Sequence, residues 1–169
     1  MSAAESVTNG TGAQLPPHIC LREDPLHLES VIQQVEDGSC GAVASFMGTT
    51  RNHSGGKEVT ALDYEAYAPM AEKTIAEVCA EAQAKWPQVR RIAVEHKLGS
   101  CPIGQSGVNI AVSSAHRADA MDCCRYVIDE IKARAPIWKR EIYADGSEWR
   151  ENAEWRETIA AKKGCGCKH

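Results

Sequence analysis

Residues 113–143 read SSAHRADAMDCCRYVIDEIKARAPIWKREIY, which places a strand end, a helix and a second strand in one continuous stretch. Apolar side chains recur at helical spacing between residues 117 and 134 and predict a helix there. They are Ala120, Cys124, Val127 and Ile131. Because the residue before a proline disfavours helical geometry, Pro136 ends this helix and predicts a strand from Ile137 to Tyr143. The stretch therefore predicts a helix that packs against a sheet.

The rest of the chain alternates between the same two kinds of element. Two further helices are predicted, one capped by Asp24 and ended by Gly38, the other from Pro69 to Trp86. Further strands are predicted at His18–Arg22, Gly41–Thr50, Val59–Ala66, Val89–Leu98 and Val108–Ser114. The strands on either side of the polar loop 51–58 are expected to form a hairpin. This order predicts a single α+β domain with helices over a largely antiparallel sheet.

Composition limits the class of protein. The chain has 169 residues, enough for one domain with a hydrophobic core, and no apolar run approaches the ~20 residues that span a bilayer. The formal net charge of -4 offers no general attraction to nucleic acid. The eight cysteines are scattered, and the first residues are small and polar rather than signal-like. We therefore expect a soluble cytosolic protein that binds neither membrane nor nucleic acid.

Both termini differ in composition from the middle of the chain. Residues 1–17 predict a disordered leader, residues 18–155 the folded domain, and residues 156–169 a flexible cysteine-rich tail. Cys165, Cys167 and His169 could hold a soft metal, but one short tail supplies too few rigid ligands. We predict no metal site and leave the tail unassigned.

Common catalytic motifs are missing. Gly56-Lys57 is not a phosphate-binding P-loop, because Arg51 stands where that motif has its first glycine and Glu58 follows the lysine. The chain also lacks a GxSxG nucleophile elbow and an HExxH zinc motif. Readings as a nucleotide hydrolase, an esterase or a metalloenzyme are weakened.

The junction at Ser113–Arg117 has the character of an anion site, since a helix N-terminus offers unpaired N–H groups and a positive dipole. Arg117 in that first turn opposes the dipole by roughly 0.3 to 1 kcal/mol unless an anion binds there. An ion pair with Asp119 or Asp122 on the surface explains Arg117 equally well. His116 alone is more often structural than functional.

A second group of cations surrounds Pro136. Lys132 lies in the last helical turn, where a cation complements the dipole, so this position alone has a structural explanation. Lys139 follows on the next strand, and the rigid turn could bring it beside Lys132. Clustered cations lower one another's pKa, which is how a lysine becomes a base or nucleophile near neutral pH.

Four blocks of the sequence resemble one enzyme family, the large, catalytic subunit of molybdopterin synthase. They are Phe46–His53, Leu62–Tyr67 with Met70 and Glu72-Lys73, Ser114–Arg117, and Lys132–Glu141. The resemblance implies an α/β hammerhead fold with added antiparallel β structure. It implies a sulfurtransferase that converts cyclic pyranopterin monophosphate, also called precursor Z, into molybdopterin by adding two dithiolene sulfurs. The sulfur arrives on the C-terminal Gly-Gly thiocarboxylate of a ubiquitin-like small subunit, within a heterotetramer built on a homodimer of large subunits.

The resemblance also implies the site residues and no cofactor. Lys132 and Lys139 would be catalytic, and the substrate-binding set would be His116, Arg117, Lys132, Lys139, Arg140, Glu141 and Arg51. Their cations suit two anionic reactants, a pterin phosphate and a thiocarboxylate. Two alternatives stay open: a non-catalytic module that binds a Gly-Gly tail or a phosphorylated pterin, and, remotely, a nucleic-acid binder that uses the cations between Lys132 and Arg140.

Overall fold

The computed structural model of the chain describes residues 13–150, with side chains up to residue 146. Most of the predicted leader, the end of the predicted domain and the whole predicted tail with Cys165, Cys167 and His169 lie outside the described residues. The domain limits at residues 18 and 155 therefore stay predictions.

Nine strands and three helices make up the described part of the chain. In order they are β1 (His18–Arg22), α1 (Leu28–Gln33), β2 (Ala42–Thr49), β3 (His53–Ser54), β4 (Lys57–Ala66), α2 (Ala68–Lys85), β5 (Val89–Lys97), β6 (Gly99–Pro102), β7 (Ser106–Ser114), α3 (Arg117–Arg134), β8 (Ile137–Tyr143) and β9 (Gly146–Arg150). Within residues 13–150, no helix is long and apolar enough to cross a membrane.

The strands form two sheets. The first has the order β1-β5-β7-β2 and is antiparallel except for the parallel pair β1–β5. The second has the order β3-β4-β8-β9, with β6 also paired to β4, and is antiparallel throughout. The prediction of an α+β domain with an additional antiparallel sheet is confirmed.

The core lies between the first sheet and helices α2 and α3. Ile75 of α2 and Val127 of α3 are fully buried against Ile92 and Ile110 of β5 and β7. Burial of each such side chain contributes roughly 1.5–3 kcal/mol. On the opposite face of the sheet, the six-residue helix α1 and Val35 behind it pack against Ala93 and Ala111. The long helix α3 is thus fixed along its whole length by the sheet beneath it.

The hairpin expected between β2 and β4 is wrong. β2 pairs with β7 and β4 pairs with β8, so the two strands belong to different sheets. The reason is local: Gly55 and Gly56 adopt positive φ angles of 57° and 82° and form a two-residue turn that closes β3 onto β4. Paired positive φ is what the common two-residue hairpin turn requires. The loop predicted between the strands is therefore itself a hairpin.

Smaller departures concern α1, β6 and β9. Helix α1 begins at Leu28 rather than at Asp24, because the chain stays extended at His27 (φ -119°) after Leu26 has entered the core. β6 forms in the glycine-rich segment 99–107, for which no strand was predicted, and β9 follows the last predicted strand. Both are edge additions to the second sheet, with too little apolar alternation to be visible in the sequence.

Candidate functional site

Strand β8 divides the predicted site residues between two faces. Successive side chains of a strand point to opposite sides, so Lys139 and Glu141 share one face and Arg140 occupies the other. The neighbouring strand β4 follows the same division, since Tyr64 pairs with Lys139 and Leu62 with Glu141. The first face of the β4–β8 pair therefore carries both a lysine and an acid.

Arg140 lies on the other face. Its Nη2 donates to Asp63 Oδ2 at 2.7 Å, and Asp63 is its register partner on β4. The structure therefore does not bring Arg140 to the face that carries Lys139. The alternation of β8 is visible in the sequence and could have signalled this separation.

A cleft of about 280 Å³ opens over the first face, and we call it the lysine cleft. It lies where the ends of α3 and β2 meet strands β4 and β8 and the β3–β4 hairpin. Four predicted site residues line it, namely Arg51, Lys132, Lys139 and Glu141. The remaining lining residues are Phe46, Gly48, Thr49, His53, Ser54, Val59, Leu62, Tyr64 and Val108. Three cations and one carboxylate thus face one small volume.

The turn at Pro136 explains how the two lysines meet. Helix α3 ends at Arg134, and Ala135 is extended with φ -71° and ψ 132°. The chain then reverses direction into β8. Lys132 in the last helical turn and Lys139 on the strand consequently line the same cleft. The lysine side chains differ in setting, because Lys132 is exposed and Lys139 is only partly so.

Glu141 is the buried acid of the lysine cleft, only 6% exposed. The Tyr143 hydroxyl donates to its Oε2 at 2.5 Å, and the Ser54 hydroxyl donates to its Oε1 at 3.2 Å. Lys139 Nζ lies 3.9 Å from the same Oε1. Such hydrogen bonds are what a buried carboxylate needs to offset the loss of water.

One aromatic lining residue of the cleft, Tyr64, is uncharged, and so is the buried His96 behind it. Tyr64 packs edge-on against His96 with ring centroids 5.0 Å apart. Burial raises the pKa of the Tyr64 hydroxyl well above its usual range and lowers the pKa of His96 to about 4. The His96 Nδ1–H donates to the Lys97 carbonyl at 2.8 Å. Near pH 7 both rings are uncharged, so the charge in the cleft comes from the three cations and Glu141 that line it.

Gly107 touches Tyr64 from below. A Cβ at that position would lie 2.6 Å from the Tyr64 hydroxyl oxygen. Real Cβ atoms do not come this close to another atom, so Tyr64 can hold its position only because residue 107 is a glycine.

Several lining residues escaped the sequence reasoning. His53 and Ser54 line the cleft from β3, Phe46 from the end of β2 and Tyr64 from β4. Phe46, His53 and Tyr64 fall inside the blocks that carry the family resemblance. Tyr64 could have been assigned to the site from its pairing with Lys139, but that pairing is known only once β4 and β8 are known to be neighbours.

His116 and Arg117 lie at the other end of α3. Both are exposed, and His116 precedes the helix as its N-cap without a side-chain capping bond. With a rise of 1.5 Å per residue, Arg117 is about 22 Å along the helix from Lys132. Among the described side chains, no ion pair within 4.0 Å joins Arg117 to Asp119 or Asp122. Within one chain, therefore, this pair does not line the lysine cleft.

Comparison with known proteins identifies relatives. The family model described as MoaE protein matches residues 21–134. The molybdopterin synthase catalytic subunit of Arabidopsis thaliana is 48% identical over 126 residues, which cover 75% of this chain and 63% of that protein. The chain thus spans slightly less than two thirds of the length of this relative.

Solved structures give the same family. The crystal structure of molybdopterin synthase from Staphylococcus aureus superposes with a TM-score of 0.73 at 39% identity, covering 79% of this chain and 95% of that one. A complex of subunits 1 and 2 of molybdopterin-converting factor from Helicobacter pylori gives a TM-score of 0.65 at 20% identity, covering 78% of this chain and 88% of that chain. The second match supports the fold alone.

Proposed function

The chain belongs to the family of molybdopterin synthase catalytic subunits, and on that ground we propose that it is the sulfurtransferase that makes molybdopterin from cyclic pyranopterin monophosphate. The observation that carries the proposal is the lysine cleft, which gathers Arg51, Lys132 and Lys139 around one buried carboxylate. Its surplus of positive charge suits anionic reactants, and fixed cations stabilise charge that develops during a reaction.

The source of sulfur is a separate protein in this proposal. The described residues that line the cleft include no cysteine, and the proposal assigns no role to a thiol of this chain. We propose that a ubiquitin-like small subunit delivers the sulfur as a C-terminal Gly-Gly thiocarboxylate. The two-subunit Helicobacter pylori complex has the same fold and is consistent with such an assembly. The described cysteines form no disulfide with one another, which fits the cytosolic location that we propose.

The two lysines have different roles. Lys132, the more exposed, serves as general acid/base or as the transient acceptor of the acyl group that the sulfur leaves. Lys139, held near Glu141, balances the charge of the thiocarboxylate. Arg51 and Glu141 line the pocket around them. Arg140 contributes from the opposite face, where its bond to Asp63 fixes the pairing of β4 with β8.

We propose that His116 and Arg117 act in the cleft of a second copy. β2 is the outer strand of the first sheet, and no strand of residues 13–150 pairs with its far edge. Its first residue, Ala42, lies opposite Ser114 beside the start of α3, whereas its last residues line the lysine cleft. Antiparallel pairing of two copies along β2 sets the start of one strand against the end of the other. His116 and Arg117 of each copy would then adjoin the partner's cleft, where they would hold the pterin phosphate.

The test of the proposed function is turnover. The purified chain, a thiocarboxylated small subunit and cyclic pyranopterin monophosphate are mixed, and molybdopterin formation is measured for wild type, Lys132→Ala and Lys139→Ala. Arg125→Ala is the matched control, since Arg125 is an 86%-exposed cation on the same helix. We expect both lysine variants to lose activity and the control to keep it. Tight binding of the small subunit or the pterin without product would favour the alternative of a non-catalytic binding module.

A further inference from the structure

We propose that Tyr143 and Ser54 are positioning residues, which clamp the Glu141 carboxylate from two sides so that it holds the Lys139 ammonium in place. Neither residue belongs to the predicted site. The role of Lys139 in catalysis rests on the proposed function, whereas the clamp itself can be tested without turnover.

The geometry of the clamp is asymmetric. The Tyr143 hydroxyl donates to Oε2 of Glu141 at 2.5 Å, and Tyr143 is itself only 5% exposed. The Ser54 hydroxyl donates to the other oxygen, Oε1, at 3.2 Å. This same oxygen lies 3.9 Å from Lys139 Nζ. The carboxylate therefore cannot rotate toward or away from Lys139 without breaking a hydrogen bond on one of its two sides.

The need for a clamp follows from the properties of lysine. The Lys139 side chain is 43% exposed, and a lysine carries a flexible four-carbon stem whose ordering costs entropy. Positioning a charge for catalysis requires the groups around it to be fixed by their own bonds. Because Lys139, Glu141 and Tyr143 alternate along one face of β8, the strand presents lysine, acid and hydroxyl in a row.

Ser54 adds a connection to a distant part of the chain. It lies on β3, next to His53, and follows Arg51 by three residues. Its bond to Glu141 joins the β3–β4 hairpin to β8 across 87 residues of sequence. Lys57 Nζ, from the same hairpin, lies 5.0 Å from the centre of the Tyr143 ring. The segment that brings Arg51 to the cleft is therefore tied to the same carboxylate that holds Lys139.

The charged and titratable groups around the clamp come from several elements. Arg51 precedes the hairpin, His53 and Lys57 belong to it, Tyr64 lies on β4, Lys132 on α3, and Lys139 on β8. A pH profile would mix all of these groups. The test therefore uses the chemical reactivity of one lysine.

The first experiment measures how fast an acetylating reagent, acetic acid N-hydroxysuccinimide ester, modifies Lys139. Peptide mass spectrometry gives the rate, and Lys73, an exposed lysine of α2 outside the cleft, is the internal reference. Tyr143→Phe removes the hydroxyl and keeps the ring. We expect the relative acetylation of Lys139 to rise about threefold or more, because the amine is then no longer held beside a fixed carboxylate and the reagent reaches it more easily. Tyr126→Phe is the matched control, since its hydroxyl also donates to a glutamate, Glu81, at 3.1 Å but away from the cleft.

The second experiment separates positioning from general stabilisation. In a Glu141→Gln background, Tyr143→Phe should change the acetylation of Lys139 no further, because both variants act through one carboxylate. Ser54→Ala should give a smaller rise than Tyr143→Phe and serves as the second variant should Tyr143→Phe misfold. Unchanged acetylation in both Tyr143→Phe and Ser54→Ala overturns the proposal, and so does an equal rise in the Glu141→Gln background.

Turnover gives a third reading. With the thiocarboxylated small subunit, Tyr143→Phe should lower kcat about tenfold and leave the KM for the pterin within about twofold, because the clamp orders a reacting group rather than the bound pterin. A wild-type chain that makes no molybdopterin while Tyr143→Phe still changes Lys139 acetylation would refute the proposed function and leave the clamp intact. A rise in KM alone, with unchanged acetylation, would refute the clamp.

Discussion

Helix α3 has cations near both of its ends, but the surroundings of the two ends differ. At the start, His116 and Arg117 stand exposed beside the beginning of β2. At its C-terminal end, Lys132 lines a cleft together with Lys139 and Glu141, whose carboxylate accepts two hydrogen bonds. The second end lines the lysine cleft, whereas the first lies outside it. The predicted anion-binding residues are thus about 22 Å apart along one helix, and this distance is the reason for our proposal that a second copy completes the site.

The largest effect is expected from a change at the C-terminal end of α3. Lys132→Ala should lower the rate of molybdopterin formation by about 10²- to 10⁴-fold, the usual loss when a positioned proton-transfer group is removed. Circular dichroism and the melting temperature should stay close to wild type because the Lys132 side chain is exposed. A variant that keeps more than a tenth of the activity would assign Lys132 to the helix dipole alone.

A second change affects the helix that joins the two ends. Ile131 is 3% exposed in the core under α3, so Ile131→Ala should lower the free energy of unfolding by about 2–5 kcal/mol. Met121 lies on the outer face and is 64% exposed, so Met121→Ala should change it by no more than about 0.5 kcal/mol. Urea unfolding followed by fluorescence gives both values. Equal losses would mean that α3 does not pack as described.

A third change addresses the exposed end. Arg117→Ala should lower activity by about 10- to 100-fold, which corresponds to one lost hydrogen bond to a charged group. Co-expression of Arg117→Ala chains with Lys132→Ala chains should restore about one quarter of the wild-type rate, because half of the dimers are mixed and each has one intact site. A mixture no more active than its components would show that each chain uses its own Arg117.

The smallest expected effect is a pH dependence of stability that comes from the buried His96, which packs against Tyr64. Burial holds the pKa of His96 at about 4, whereas an unfolded histidine titrates near 6.5. Between these values the unfolded chain binds the proton and the folded chain does not, so stability falls as pH is lowered. Between pH 7 and pH 5 the loss should be about 2 kcal/mol.

The measurement for His96 is a difference between variants. Urea unfolding at pH 7 and pH 5 is compared for wild type, His96→Phe and His27→Phe, the last being an exposed histidine outside the core. His96→Phe should lack the histidine part of the pH dependence, and His27→Phe should keep it. An identical slope for wild type and His96→Phe would place the titrating group elsewhere.

Local pattern was sufficient to predict the elements around the site. The bounds of β1, α3 and β8 agree with the sequence prediction, because each has a strong periodicity and a clear stop. Pro136 led to the expectation that Lys139 could lie beside Lys132, and both lysines line the lysine cleft. What local pattern lacks is the pairing of distant strands, which explains the wrong hairpin between β2 and β4. Such pairing depends on burial across the whole core and not on neighbouring residues.

The structure brings four of the predicted site residues to one cleft and separates Arg140, His116 and Arg117 from them. Lys139, Arg140 and Glu141 are consecutive in the sequence, yet strand alternation sends Arg140 to the other face. His116 and Lys132 belong to one short segment, yet a straight helix keeps them apart. Proximity in sequence was therefore a poor guide to proximity in space. The two-residue period of a strand and the rise of a helix would have predicted these separations.

Gly107 gives the cleft one further property. Tyr64 can settle against it only because no side chain is there, and the tyrosine stands opposite Lys139 in the β4–β8 register. A methyl group at residue 107 would lie 2.6 Å from the tyrosine hydroxyl oxygen, so the tyrosine would have to shift. The shape of the lysine cleft thus depends on residue 107, which is not among its lining residues.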